Sequence, residues 1–381
     1  MNIAIVCEYN PFHFGHLYQI KQIKNIFPQA NIIAIMSGNV VQRGEFSILD
    51  KFYKTKIALE YGIDCVIEIP SVFSLQSAEN FSRYAVKIID AIKCDYISFG
   101  IESEIEDLIS YRDFIIENED EIKKYIISNK KNSYNKNIID YSKKNYSNYS
   151  KEIFKSNNIL ALEYMKALDK LKSNCRILPI KRVNSEYNSE SIDNISYSAS
   201  SIRYNLSSLD NFKDNIPNLT YHYLKNYPII SNQKIMDILS YKLFVENSEF
   251  YDITGYECGL DNLLVKGFGG CYDEFFENIK NKKYSKNRLK RLIFNYILDI
   301  NKDFVDYILI EDIEAIRLLG FNKRFNLSSI NKNCKIYSLN RDFLKLSDKY
   351  KQLFEYDIKV SRLLYSTKMV NDFYDFPVIK K

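Results

Sequence analysis

Short apolar runs rich in isoleucine and valine recur through the first half of the chain, at residues 3–7, 32–36, 65–69, 96–99 and 177–180. Runs of this kind suit strands buried on both faces of a parallel sheet. Between them the apolar positions take helical spacing: Leu17, Ile20, Ile23 and Phe27 form one stripe, and Phe81, Ala85, Ile88 and Ile92 another. Strand then helix, repeated, predicts an α/β architecture whose parallel strands are joined by crossovers. Past about residue 212 the runs become helical, and Pro217 and Pro228 punctuate a polar entry. The expected division is therefore an α/β domain over 1–212 and a mainly α-helical domain over 213–381. Residues 120–157 are polar and low in complexity, and read as a solvated helix and loop insertion.

A length of 381 residues accommodates two domains and a sizeable core. With 46% hydrophobic and 27% charged residues the chain reads as globular, and no apolar run approaches the roughly 18 residues of a membrane span. The start, MNIAIVCEYN, has no basic leader and runs straight into the first motif, so no signal peptide is expected. The seven cysteines are scattered without zinc spacing, which suits a reducing cytoplasm. A net charge of +5 is too mild to identify a nucleic-acid partner. Its distribution is more informative: nine lysines against two acids between 123 and 155, and seven basic residues in the twelve from 280 to 291.

Two of only three histidines fall in EYNPFHFGHL, residues 8–17. The run 3–7 leads there through a turn signal, Glu8-Tyr9-Asn10-Pro11, into a helix expected to start near Gly15 or His16. Ligands of open α/β sheets sit beyond the carboxyl ends of the strands, where a helix N-terminus offers amides and positive dipole to an anion. His13 and His16 are three apart and face one side, and Gly15 lets backbone approach a ligand closely. Two imidazole donors flanking a phosphate would stabilise the charge of a pentavalent transition state, as nucleotidyl transfer requires. A zinc site would want i, i+4 spacing and further ligands, whereas the third histidine, His222, lies in the other region. A packed histidine pair is the plainer alternative.

HFGH matches the HxGH signature of the nucleotidyltransferase superfamily. The longer set of EYNPFHFGHLYQI (8–20), MSGNVVQRGE (36–45), DKFYKTKIALEYGIDCVIEIP (50–70), QSAENFSRYAV (76–86), NNILALEY (157–164) and ISYSASSIR (195–203) resembles one family within it, the bacterial tRNA(Met) cytidine acetate ligases. GLDNLL (259–264), NKKYSKNRLKRLIFNYIL (281–298) and IRLLGFN (316–322) extend the resemblance along the second region. It implies a Rossmann-like domain that activates acetate with ATP, releasing pyrophosphate, and passes the acetyl group to N4 of the wobble cytidine of elongator tRNA(Met). It also implies ATP contacts at Val6, Cys7, Glu8, Tyr9, Asn10, Pro11, Phe12, His13, Gly15, His16, Leu17, Tyr18 and Gln19, and at Gly100, Asn157 and Arg182. Phe14 and Ile101 depart from it, standing where the family commonly has asparagine and serine.

Each of these positions also has a reading of its own. Gly100 closes the 96–99 run, either as a ligand edge or as an ordinary strand-end turn. Asn157 precedes a helix striped by Leu160, Tyr164, Leu168 and Leu171, and fits an N-cap or a ligand contact. Arg182 suits a phosphate clamp or a plain surface position. Ser200 and Ser201 stand where a helix can begin, as phosphate ligands or as a cap. Arg43, in the turn after the 32–36 run, is a candidate substrate or pyrophosphate contact or part of a plain solvated turn. Cys7 reads as packing, because an acyl-adenylate needs no covalent nucleophile. In a helix over 287–300, Leu289, Ile293, Tyr296 and Ile300 form a core stripe, while Arg288, Arg291 and Asn295 share a face suited to tRNA phosphates or to solvent. Mg²⁺ is expected with the ATP phosphates, and no residue is assigned to hold it. GFGG (267–270) lacks nucleotide-loop spacing and reads as a turn. A small-metabolite adenylyltransferase is the competing enzyme class, although it would not need a second region with a basic helix. A non-catalytic RNA-binding relic would be expected to have lost His13, Gly15 or His16.

Overall fold

In the computed structural model, which describes residues 1–182, 198–330, 333–365 and 377–380, the predicted apolar runs are strands. They are β1 (Asn2–Cys7), β2 (Asn31–Ser37), β5 (Cys65–Ile69), β6 (Tyr96–Ile101) and β7 (Arg176–Lys181). A small antiparallel pair, β3 (Val40–Val41) and β4 (Glu45–Phe46), follows β2. The parallel strands lie in the order β5-β2-β1-β6-β7. The chain therefore winds outward from β1 in one direction and then from β6 in the other, so the switch point of the sheet lies between β1 and β6.

Alternation along the strands divides the core. Ile3, Ile5 and Cys7 face one side with Ile32, Ala34 and Met36, packed under helices α1 (Phe14–Ile26) and α2 (Lys51–Glu60). Ala4, Ile33, Ile35 and Ile67 face the other side, under α3 (Ser71–Ser74), α4 (Ala78–Ala91) and the helix Ser156–Leu171. Both faces are covered, which is why the strands read as continuous apolar runs.

The second region is mainly helical, as expected, but it also extends the sheet. β8 (Ala315–Asn322) pairs antiparallel with β5, and its far edge takes β9 (Lys335–Tyr337) and β10 (Val378–Lys380). The change of pattern near residue 212 thus marks where helices take over, while the sheet itself draws on both sides of that position. Burying β8 at its junction with β5 also buries charge. Lys51 of α2 holds Glu68 of β5 at 2.9 Å, Arg317 of β8 lies 3.5 Å from the same carboxylate, and all three side chains are enclosed. Asp357, in the helix Asp348–Tyr365, accepts the Ser71 N–H at 2.6 Å and has its carboxyl pushed up by burial and by Glu68.

The polar stretch over 120–157 forms helices Glu119–Ser128 and Tyr134–Asn145, with most lysines outward and Asn137, Ser142 and Tyr146 turned in. The basic helix runs Lys286–Leu298 and buries Leu289, Ile293 and Tyr296 as expected. It ends two residues short of the expected 300, because Asp299 takes a left-handed conformation at φ 58°.

Candidate active site

β1 ends against the loop that carries the histidines. Tyr9 turns the chain in the left-handed region (φ 45°). Asn10 fixes the loop by accepting the Ile48 N–H at 2.8 Å, and Phe12 stacks on Tyr61 with centroids 5.3 Å apart. α1 then begins one residue earlier than expected, at Phe14, with His13 as its N-cap. His13 Nδ1 accepts the Gly15 N–H at 3.0 Å, and His16 Nδ1 accepts the His13 N–H at 3.1 Å. The two rings stack at 3.7 Å and 23°. Each Nδ1 is therefore an acceptor, so each neutral ring carries its proton on Nε2.

Burial, with help from the Arg182 and Arg203 guanidinium groups, lowers the His13 pKa to about 3. Burial, His13 and Arg182 push His16 well below its ordinary value. The pair is consequently a set of two neutral N–H donors at the N-terminus of α1, beside the switch point of the sheet. Because the folded His13 pKa of about 3 lies below the ordinary 6.5, the unfolded chain binds the extra proton between those values. Stability then rises with pH across that window and is lost on acidification. The expected loss from His13 is up to about 1.4 kcal/mol per pH unit. Unfolding midpoints measured from pH 6.5 downward should show a shallower acid limb in His13→Asn, and an identical limb would mean that His13 titrates normally when folded.

Arginine surrounds this pair. Arg182 follows β7, its stem lies 3.3 Å from where a Cβ on Gly100 would stand, and its Nη1 donates to Asn157 Oδ1 at 3.3 Å. Gly100, Asn157 and Arg182 thus converge, and Gly100 lies directly beneath the arginine. Asn157 is not a cap: it sits inside Ser156–Leu171, and its Nδ2 donates to Glu102. Arg203, the last residue of ISYSASSIR and not among the predicted contacts, donates to the Asn10 carbonyl at 2.6 Å and to Ser200 Oγ at 3.2 Å. Its signal was available: an arginine one turn after Ser200 on a helix-start segment returns to the same side. Residues 195–197 of that segment lie outside the described residues. Ser198 caps the helix Ala199–Tyr204, so the Ser201 amide is bound to Ser198 Oγ at 3.1 Å rather than free at the helix start. Arg43 is exposed, and its charge acts with burial to lower the Arg203 pKa.

Several of the expected contact positions also hold the loop and the sheet together. Cys7, Tyr9 and Phe12 are buried, and burial pushes the Cys7 thiol up to about 12, so it remains un-ionised as a packing group. Val6 and Leu17 pack on opposite core faces. Gln19 donates to Ser98 Oγ at 3.2 Å, tying α1 to β6, and Tyr18 is half-buried. Ile101 is enclosed in the core, so packing replaces the polar contact that a serine would make there. Below the loop, the ammonium of Lys54 donates to the carbonyls of Glu8, Ser37 and Gly38 at 3.0, 2.8 and 2.7 Å. Sequence reasoning missed it, although Lys51 and Lys54 share the α2 face with buried Ile57 and Ala58. Among the described residues, no three His, Cys, Asp or Glu side chains form a metal-ligand cluster.

On the basic helix, Arg288 pairs with Glu257, whose carboxyl is raised by burial but brought down to about 2 by Arg288, Lys283 and Tyr284. Arg291 and Asn295 do not share its outer face: Arg291 donates to the Gln42 carbonyl and Asn295 is buried.

The HIGH Nucleotidyl Transferase family model matches residues 1–374. A tRNA(Met) cytidine acetate ligase of Clostridium perfringens is 34% identical, in an alignment covering all of both chains. Another, of Fusobacterium nucleatum, is 31% identical, covering 100% of this chain and 98% of its own. The crystal structure of Thermotoga maritima TmcAL bound with alpha-thio ATP is similar at a TM-score of 0.85 and 29% identity, over 99% of each chain.

Proposed function

This chain belongs to the tRNA(Met) cytidine acetate ligase family of HIGH nucleotidyl transferases, and from that premise we propose how its own residues perform the reaction. The enzyme activates acetate with ATP to give acetyl-AMP and pyrophosphate, then acetylates N4 of the wobble cytidine of elongator tRNA(Met). In the first step an acetate oxygen attacks the α-phosphorus, and the bond from that phosphorus to the pyrophosphate oxygen breaks. The Nε2–H groups of His13 and His16 donate to phosphate oxygens as charge develops on them. Neutral rings suit this role, since they lose no proton during the step. Arg182 and Arg203 neutralise the nucleotide, and Arg43, on the exposed turn, meets the leaving pyrophosphate. Mg²⁺, carried by the ATP phosphates, would supply further neutralisation of the departing charge.

In the second step the cytidine N4 attacks the acetyl carbon, the bond from that carbon to the AMP phosphate oxygen breaks, and AMP leaves as N4 releases one proton to solvent. Cys7 takes no covalent part. The second region holds tRNA through its outward lysines Lys280, Lys282 and Lys286, with Arg288 joining when it exchanges Glu257 for a phosphate. The observation that carries this reading is the stacked, neutral histidine pair at the start of α1 within reach of the Arg182 and Arg203 charges. No described helix is long and apolar enough to cross a membrane. We place the enzyme in the cytoplasm, where its free cysteines stay reduced.

Acetate-dependent ATP–pyrophosphate exchange in the absence of tRNA tests the first step, and exchange that ignores acetate would overturn it. For the tRNA face, Lys282→Gln should lower the slope of log affinity against log salt by about 1 without altering exchange. An unchanged slope would remove Lys282 from the tRNA face.

A further inference from the structure

Two of the seven basic residues between 280 and 291 turn inward. Lys290 pairs with Glu45, and Arg291 Nη1 donates to the Gln42 carbonyl at 3.1 Å. On the other side of that peptide chain, the Gln42 N–H donates to Glu8 Oε1 at 2.7 Å. Glu8 is the first residue beyond β1, and its own carbonyl is gripped by Lys54 at 3.0 Å. A second path reaches the same glutamine. Asn295 donates to the Thr254 carbonyl at 3.2 Å, Thr254 Oγ1 to Gln76 Oε1 at 3.4 Å, and Gln42 Nε2 to the Gln76 carbonyl at 3.3 Å. The turn and the helix also meet backbone to backbone. At Gly44 (φ +73°) a Cβ would lie 2.5 Å from the Arg291 nitrogen.

We infer that Arg291 is a positioning residue for acetate activation: through the Gln42 main chain it sets Glu8, and hence the loop that carries His13 and His16. The inference rests on the ligase reading above. Its consequence is that the helix presenting lysines to tRNA is built into the wall of the ATP site, so the two substrates meet on one connected element. Arg291 is half-buried, and burial beside Arg288 lowers its pKa to about 10. Its Nη1 is directed to the Gln42 carbonyl of the turn beside the histidine loop.

The test compares wild type, Arg291→Ala, Arg291→Lys and Gly44→Ala in acetate-dependent ATP–pyrophosphate exchange without tRNA, and in tRNA binding by filter retention. Misplacing the loop should lower kcat/KM for ATP in Arg291→Ala by about 10- to 100-fold. tRNA affinity should stay within about twofold of wild type, because the outward lysines are untouched. Arg291→Lys, which keeps the charge and a donor, should recover part of the loss. Gly44→Ala removes no polar group but forces turn and helix apart, and should reproduce it. Full exchange activity in Arg291→Ala with weakened tRNA binding would overturn the inference and return Arg291 to the RNA face. If Arg291→Ala does not fold, unimpaired exchange in both Arg291→Lys and Gly44→Ala would overturn it as well. Wild-type exchange that does not depend on acetate would overturn the ligase reading, and the inference with it.

Discussion

His16→Ala is expected to lower acetate-dependent pyrophosphate exchange by about 10²- to 10³-fold, the cost of losing one preorganised donor to a developing oxyanion. The effect should appear in kcat, because the bond from Nε2 strengthens only as charge builds on the phosphate. His16 also accepts the His13 N–H through Nδ1, so the variant loses one cap, which costs about 1 kcal/mol. That is too little to unfold a chain of this size, and tRNA binding should be nearly unchanged, since the variant touches none of the outward lysines proposed to hold tRNA. Loss of tRNA binding together with exchange would instead mean that the histidine holds the fold. His13→Ala should behave alike, with a larger stability cost because His13 is the residue that starts α1.

Lys54→Met is expected to cost about 3 to 5 kcal/mol. A methionine matches the length and fills the space, but it leaves three carbonyls without their donor, and an unpaired buried polar group costs about 1 to 3 kcal/mol. Lys54 is enclosed, and burial lowers its pKa to about 8 against an ordinary 10.5. The unfolded chain therefore binds more protons between those values, so this lysine makes the fold more stable as pH rises through that window. Urea unfolding of wild type and variant measures both effects. A loss below about 1 kcal/mol would mean that water or a shifted backbone replaces the ammonium.

The sheet was legible because strands buried on both faces are mainly apolar, and β1, β2, β5 and β6 have almost no water-facing side to break the pattern, while the edge strand β7 is only partly buried. The histidine loop was legible for a similar reason: a strand, a turn and two imidazoles leave few places in an α/β sheet where they can lie. What escaped has a common cause. β8, Arg203, Lys54 and Arg291 all act across sequence separations that local periodicity does not see. Arg203 meets Asn10, 193 positions away, and Arg291 meets Gln42, 249 positions away. Charged residues in an amphipathic helix read as solvent-facing by default, yet Lys51, Lys54, Lys290 and Arg291 lie inward because each finds a carbonyl or carboxylate there. The basic run at 280–291 therefore overstated how many of its charges face outward, whereas the stripe Leu289, Ile293 and Tyr296 read correctly because packing follows helical period.

The most direct test of the central claim is to incubate the chain with labelled acetate, ATP and Mg²⁺ and follow the label onto elongator tRNA(Met), alongside a tRNA whose wobble cytidine is replaced by uridine. Label recovered as N4-acetylcytidine at the wobble position, absent from the uridine tRNA and lost without ATP, is the predicted result. Label that never leaves acetyl-AMP, or that appears equally on both tRNAs, would contradict it.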